Sequence, residues 1–391
     1  MREQSPIQWF QSGISDIRLA LLRGESLPGC DRCKLMEQHH KVSGRQRQML
    51  KTGITDDRFV KTFLSSSWMP EFVHSQEHNG DTELYPQDWQ IDLGNFCNSA
   101  CTFCTPHSSS RLAVEYKKLG MIENMPPRAW CDDPRQLETF LDALKQCTKL
   151  TYLHFIGGET LITPAFRTIL WALIEHGLHK SVTVGFTTNL TIWDQEIADL
   201  LCRFNQVNVG MSIECFHPLN DYVRYGSKIA QARALATQWI ELSQQQQWLT
   251  QLRITPTVLS IWHLDSVYEF AAEHGIAVES CNFLDEPKFM RPSVLPGNFR
   301  AIVMDKLQRW LDRYPKNDVR PIINTRDPTA HLEQILQDAR SYLAYLRDQP
   351  DESHRLPDLA KFLSRLESNR NNRILDYLPE YESILRSAGY P

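Results

Sequence analysis

Between about residues 85 and 300 the chain alternates short apolar runs with longer stretches of helical period. WQIDL (89–93), LTYLHFI (150–156), VTVGFT (182–187), VNVGMSIE (207–214), LRITPTVL (252–259) and AVESCNF (277–283) read as strands. In RQLETFLDALKQC, Leu137, Phe140, Leu141 and Leu144 recur at i, i+3, i+4 and i+7, which predicts a helix with one buried face. PAFRTILWALIEHG opens on Pro164, suited to a first helical turn, and closes at Gly177; IWHLDSVYEFAAEHG closes in the same way at Gly275. A further helix over about 227–246 carries Leu235, Trp239 and Leu242 on one side. Six strands separated by helices predict a parallel sheet with right-handed crossovers. Six units are fewer than the eight of a closed barrel, so the expected fold class is α/β, an open, partial (β/α)6 TIM-like barrel. Chemistry in such sheets gathers at the carboxyl ends of the strands.

The flanks differ in pattern. Residues 1–80 hold a helix over about 13–24, then LPGCDRC and a charged stretch; residues 301–391 read as helical throughout, with breaks at Pro315, Pro328 and Pro357. Three segments are therefore expected, 1–80, 85–300 and 301–391, with SQQQQ (243–247) too short for a linker and no internal repeat. Composition adds exclusions. The hydrophobic fraction of 42% and charged fraction of 23% are those of a globular protein, and a net charge of −5 gives no case for nucleic acid or a membrane surface. ILWALI (169–174) is among the longest apolar runs, far from a membrane span, and MREQSPIQWF has no signal core, so a cytoplasmic location is expected. Ten cysteines in such a chain point to metal or redox chemistry before a disulfide framework.

Three of those cysteines, Cys97, Cys101 and Cys104, fall within eight residues in IDLGNFCNSACTFCTPH, just past the first core strand. Thiolates on one tight loop can hold three irons of a 4Fe–4S cluster and leave the fourth iron open to an outside ligand. The alternative is three buried or zinc-binding cysteines. Phe103 would place a ring beside such a cluster. The next strand ends HFIGGET: Gly157 and Gly158 allow close approach to the backbone, and Glu159 can bind an ammonium group.

With GGE one βα unit after CxxxCxxC, the sequence resembles the radical SAM superfamily. The resemblance implies a 4Fe–4S cluster on the three cysteines, S-adenosyl-L-methionine chelating the open iron, and Glu159 on its amino group. It further implies cofactor contacts from Thr188 and Asn189 of TTNL (187–190), Ser212 and Glu214 of MSIE (211–214), and Arg253, placed at the start of the fifth strand as a partner for the cofactor carboxylate. Ordinary strand-end polar residues are the competing explanation for each of these.

The N-terminal DIRLALLRGESLPGCDRCKLMEQHHKVSGRQRQ looks like a SPASM/twitch segment, with Cys30, Cys33, Glu37, Ser43 and Arg45 in its recurring positions. NDYVRYGS (220–227), LDEPKFMRPSVLP (284–296) and LDYLPEY are also similar to twitch-type radical SAM proteins, which implies a twitch-like N-terminal segment before the barrel and a helical region after it. An auxiliary iron–sulfur cluster is then implied on Cys30 and Cys33. No cysteine precedes Cys30, so further ligands would come from Cys281 or Cys215; the alternatives are a remnant fold without metal and a zinc site with His39 and His40. Cys147 and Cys202 read as small buried residues, and Cys131 has no assignable partner. The resemblance implies hydrogen abstraction from a ribosomally made precursor peptide, to crosslink, epimerise or excise. Its implied partners are a flavodoxin- or ferredoxin-type electron donor and a separate leader-peptide-recognition protein. The rival expectations are a radical SAM enzyme acting on a small metabolite or RNA, and a non-catalytic iron–sulfur scaffold.

Overall fold

The computed structural model describes residues 5–38, 43, 45–46, 69–280, 283–284, 286–314 and 328–391. The chain divides into two compact units, Met1–Trp89 with Asp133–Leu153, and Gln90–Asp132 with His154–Pro391. Six strands, β1 (Asp88–Asp92), β2 (Tyr152–Ile156), β3 (Thr183–Thr188), β4 (Gln206–Ser212), β5 (Leu249–Arg253) and β6 (Ala277–Glu279), form one parallel sheet in sequential order. Its register runs Thr187↔Gly210, Ser212↔Arg253 and Arg253↔Glu279. Each strand lies beside its predecessor because each helix returns the chain in the same right-handed sense.

The expected α/β partial barrel is what the chain forms. Its two faces differ in chemistry. Phe155 of β2 and Phe186 of β3 pack on Phe166 of the helix Pro164–Glu175 with ring centroids 5.1 and 5.8 Å apart, and Phe186 meets Trp239 of the helix Ile229–Gln246 at 5.3 Å. Alternate positions on the opposite face are polar, and they reach one another across strands. The Arg253 guanidinium of β5 lies 2.8 Å from His154 Nε2 of β2 and donates to Thr187 Oγ1 of β3 at 3.2 Å. In a flat sheet β2 and β5 would stand about 14 Å apart, so these contacts require the sheet to curl around its polar face. Gly210 of β4 makes room for the crossing, since a Cβ there would lie 2.9 Å from Arg253 Cδ.

Several expected boundaries move. The fifth strand ends at Arg253 instead of starting beside it, because Pro256 has no N–H to continue a ladder. The sixth stops at Glu279. Gly177 (φ +72°) and Gly275 (φ +61°) end their helices in the left-handed region as predicted. Pro328 and Pro357 do not break helices but start them, standing at the head of Pro328–Asp348 and in the first turn of Leu356–Glu367, where a missing N–H costs nothing. Pro315, Cys281, His39 and His40 lie outside the described residues.

After β6 the chain adds the helices Gly297–Leu311, Pro328–Asp348, Leu356–Glu367 and Glu382–Ser387. They attach to the barrel through buried polar contacts: Tyr268 donates to Asp338 at 2.9 Å, Tyr381 to the Val258 carbonyl at 2.8 Å, and Tyr222 to Glu367 at 2.6 Å. In the other unit, the helices Ser15–Leu22 and Met69–Glu77 are tied by Arg18, which donates to the Gln11 and Gly80 carbonyls at 3.1 and 2.8 Å. No helix among the described residues is long and apolar enough to cross a membrane.

Candidate functional site: the three-cysteine loop

The loop after β1 carries Cys97, Cys101 and Cys104 without regular structure of its own. Its backbone borrows partners instead. The Gly158 and Glu159 amides donate to the Gly94 and Phe96 carbonyls at 2.7 and 2.8 Å, and the Ala100 and Thr102 amides donate to the Tyr225 and Val223 carbonyls at 2.8 Å each. The paired glycines therefore admit the chain's own backbone. A Cβ on Gly158 would lie 2.2 Å from the Phe96 carbonyl oxygen; Gly157, at φ +140°, would place one 2.7 Å from that of Gly94. Beyond β3, Asn189 closes the third side. Its Nδ2 donates to Asn98 Oδ1 at 2.9 Å and Ser99 Oγ at 3.2 Å and lies 3.9 Å from Cys97 Sγ. Leu190 beside it holds φ +59°, an uncommon conformation for a branched residue, which marks a backbone held by its surroundings.

Burial raises the thiol pKa of Cys97 to about 11 and of Cys104 to about 12, with the neighbouring thiols adding to the rise; Cys101 is also raised, by burial first. Left alone these groups stay protonated, and it takes a strong local positive charge to hold three thiolates together. Donors already face the sulfurs: Arg224 Nη1 lies 3.9 Å from Cys101 Sγ and the Ser99 amide 3.5 Å from Cys97 Sγ. Hydrogen bonds to cysteinyl sulfur of this kind are what an iron–sulfur cluster's outer shell supplies. Among the described residues no group of three or more His, Cys, Asp and Glu side chains gathers as a site for one metal ion. A cubane takes each thiolate on a different iron, so its three protein ligands need not converge on one point. Phe103 lies against the Arg224 guanidinium, 5.7 Å from its ring centroid.

Glu159 is fully buried. Its carboxylate accepts the Leu161 amide at 3.1 Å and the Asn189 amide at 2.5 Å, and the Thr188 hydroxyl bonds to it too. Burial pushes its pKa up to about 7, and its partners are two amides and a hydroxyl, neutral groups that leave the carboxylate able to accept a cation. Glu214 is equally buried but already paired, accepting Arg224 Nη2 at 3.0 Å and the Thr255 amide at 2.8 Å. For Arg224, burial disfavours the charge, but Cys101 and Glu214 outweigh it and raise the pKa. Ser212 ends β4 beside Arg253. Arg253 is committed to the barrel interior, pairing with Glu279 at 3.0 Å as well as with His154 and Thr187.

Cys131 Sγ contacts the Leu93 carbonyl at 3.2 Å, which gives it a partner the sequence did not suggest. Cys147 and Cys215 are fully buried and Cys202 is half-buried. Cys30 ends the turn Pro28–Cys30, and Cys33 follows in the helix Asp31–Gln38. In that unit Glu37 accepts the Ser43 hydroxyl at 2.5 Å and the Arg45 guanidinium, so three of the five twitch-like positions meet. Sequence reasoning missed Arg111 and Arg370, and gave Arg224 no role although it stands in the quoted NDYVRYGS.

His154 supplies a pH test of the interior layer. Burial, then the charge of Arg253, lowers its pKa from 6.5 to about 3. The unfolded chain takes up a proton that the folded one refuses, so stability is full above about pH 6.5 and is lost as pH falls. At about pH 5 the loss from this group is about 2 kcal/mol. His154→Gln keeps an acceptor for Arg253 and should lose less stability between about pH 7.5 and about pH 5 than the wild type, measured by denaturant midpoints. Equal losses would show that His154 is not held neutral.

No curated protein matches the chain. Among solved structures, Streptococcus suis SuiB bound to S-adenosylmethionine is similar at 15% identity and TM-score 0.42, covering 72% of this chain and 59% of that one. SuiB bound to the precursor peptide SuiA gives 14% and 0.41, covering 67% and 58%. Native anSMEcpe with bound AdoMet gives 17% and 0.42, covering 58% and 60%. The chain thus spans less than two thirds of the length of these structures. Residues 91–239, from β1 through the helix after β4, match the family model described as the Radical SAM superfamily. That segment contains all three loop cysteines, Glu159, Asn189 and Arg224, and the chain therefore carries a radical SAM domain.

Proposed function

We propose that the protein reductively cleaves S-adenosyl-L-methionine and uses the resulting radical to modify a ribosomally made precursor peptide. The observation that carries this reading is the loop of Cys97, Cys101 and Cys104, pinned at the carboxyl end of the barrel with hydrogen-bond donors aimed at its sulfurs. Cys97, Cys101 and Cys104 would hold a 4Fe–4S cluster, which would supply the electron for reductive cleavage of S-adenosyl-L-methionine and hence radical hydrogen-atom abstraction. The chain's own part is to hold three thiolates, to orient the cofactor and to exclude water. Glu159 has the buried, under-compensated carboxylate that a cofactor ammonium would satisfy. Ser212, Thr188 and Asn189 lie at strand ends suited to its ribosyl and methionyl parts.

The peptide substrate rests on the sequence resemblance to twitch-type peptide maturases. So does the division into an N-terminal twitch-like segment, barrel and C-terminal helical region, and so do a low-potential electron donor, a leader-binding partner and a reducing cytoplasmic setting. The auxiliary cluster is proposed on Cys30 and Cys33, whose turn-and-helix placement lets two thiols approach one metal.

Anaerobic protein given S-adenosyl-L-methionine and a strong reductant should form 5′-deoxyadenosine. Replacing Cys97, Cys101 and Cys104 together by Ala should abolish it and remove about four irons per chain. Cleavage retained by the triple variant would end the radical SAM reading. For Glu159→Gln, loss of a charge-assisted hydrogen bond should weaken cofactor binding about ten- to a hundredfold by calorimetry, with the cluster's absorption spectrum kept. Unaltered affinity would leave Glu159 as the cap of the turn Thr160–Ile162 and nothing more. The Cys30→Ala, Cys33→Ala double variant should still cleave the cofactor but lose peptide modification and any iron beyond about four atoms. A variant that keeps full iron and modifies the peptide would refute the auxiliary cluster.

A further inference from the structure

The cysteine loop is gripped from a part of the chain that lies well beyond the radical SAM domain. Arg370 follows the helix Leu356–Glu367, and its side chain is 1% exposed. Nε and Nη2 form a fork onto Glu115 at 2.8 and 2.5 Å, and Nη2 also donates to the Ala100 carbonyl at 2.8 Å. Ala100 directly precedes Cys101, and Glu115 lies on Ser110–Lys118, the helix that takes the chain away from the loop. The guanidinium also stacks on Tyr225, 4.4 Å from the ring centroid. On the same ring sits Arg111, at 5.4 Å, whose Nη1 donates to the Asn98 carbonyl at 2.6 Å. Two carbonyls of the loop are thus capped by two arginines that share one aromatic ring, and the backbone carbonyl of that tyrosine in turn accepts the Ala100 amide.

Stability alone is a poor reason for this arrangement, because a buried ion pair is often matched by apolar residues of the same volume. Arg370 Nη1 is moreover buried with no hydrogen-bond partner among the described residues, an unanswered donor of the kind folded chains avoid. The pair has a direction, with the guanidinium against the loop and the carboxylate on the helix behind it.

We propose that Arg370 is a positioning residue of the cluster site: it fixes the loop backbone beside Cys101 and sets a positive charge there that favours the reduced cluster. The inference rests on the cluster reading of the three cysteines. It makes the C-terminal helical region part of the redox site, and Glu115 the group that tempers the charge.

The test uses the full chain, reconstituted with iron and sulfide without oxygen, with the midpoint potential read by dye-mediated titration and cluster retention read by chelator challenge. Arg370→Met should lower the ratio of reduced to oxidised cluster about tenfold at the wild-type midpoint, a fall of 59 mV for a one-electron couple. It should also lose iron several-fold faster. Arg370→Lys keeps the charge but not the planar fork, so it should hold the potential near wild type while losing iron faster. Glu115→Gln leaves the guanidinium uncompensated and should raise the potential, which keeps the test decisive if Arg370→Met does not fold. A wild-type midpoint and wild-type retention in Arg370→Met would overturn the proposal. So would a lowered potential in Glu115→Gln, or a fall in Arg370→Lys as large as in Arg370→Met. Wild-type protein that takes up no cluster would refute the underlying reading first, and is told apart because no variant is needed to see it.

Discussion

Residues 94–102 belong to no helix or strand, so the polar groups they bury must be answered from elsewhere. On one side the amides of Gly158 and Glu159 answer; on the other, the carbonyls of Val223 and Tyr225. The loop is in effect an unpaired strip laid between the end of β2 and the turn that closes the helix Leu219–Val223, and its conformation is set by both. Glycine is demanded at 157 and 158 because the strip lies too close for any side chain. Asn189, just past β3, and Arg224, at the end of the helix Leu219–Val223, both reach the sulfurs. Fixing a thiol-bearing loop in this way suits a cofactor whose reactivity depends on placement to a fraction of an ångström.

The barrel inverts the usual division of its material. Its outer face is apolar and aromatic, with Phe155 and Phe186 buried under Phe166 and Trp239 of the helices, whereas its inner face carries His154, Thr187, Arg253 and Glu279. A closed eight-stranded barrel fills its interior with branched apolar side chains. Here charges are satisfied by one another across strands, and the layer they make keeps the lumen polar below the cysteine loop.

Much of this was legible in the sequence because it is local. Strand and helix periods gave the sheet, and CxxxCxxC followed by GGE gave the loop and the strand end that receives it. Other features depend on contacts that no window of residues contains. Thr250 and Gln251 continue a polar stretch, so the start of β5 is visible only through its pairing with β4. Pro328 and Pro357 read equally well as helix breakers and helix starters until the flanking segments are placed. Glu214 looks like a ligand-binding acid at a strand end, yet an arginine ten residues later occupies it. Arg370 carries no motif at all, and its partner Ala100 lies 270 residues before it.

That separation has a consequence for the making of the protein. A ribosome adds about 5–20 residues per second, so the guanidinium that caps the Ala100 carbonyl emerges about 15–55 s after the cysteines do. Through that interval the nascent loop has its thiols but not its last clamp, and a contact spanning most of the chain cannot form early in folding. A chain stalled within that interval would expose the three thiols yet lack the clamp that holds their loop in place.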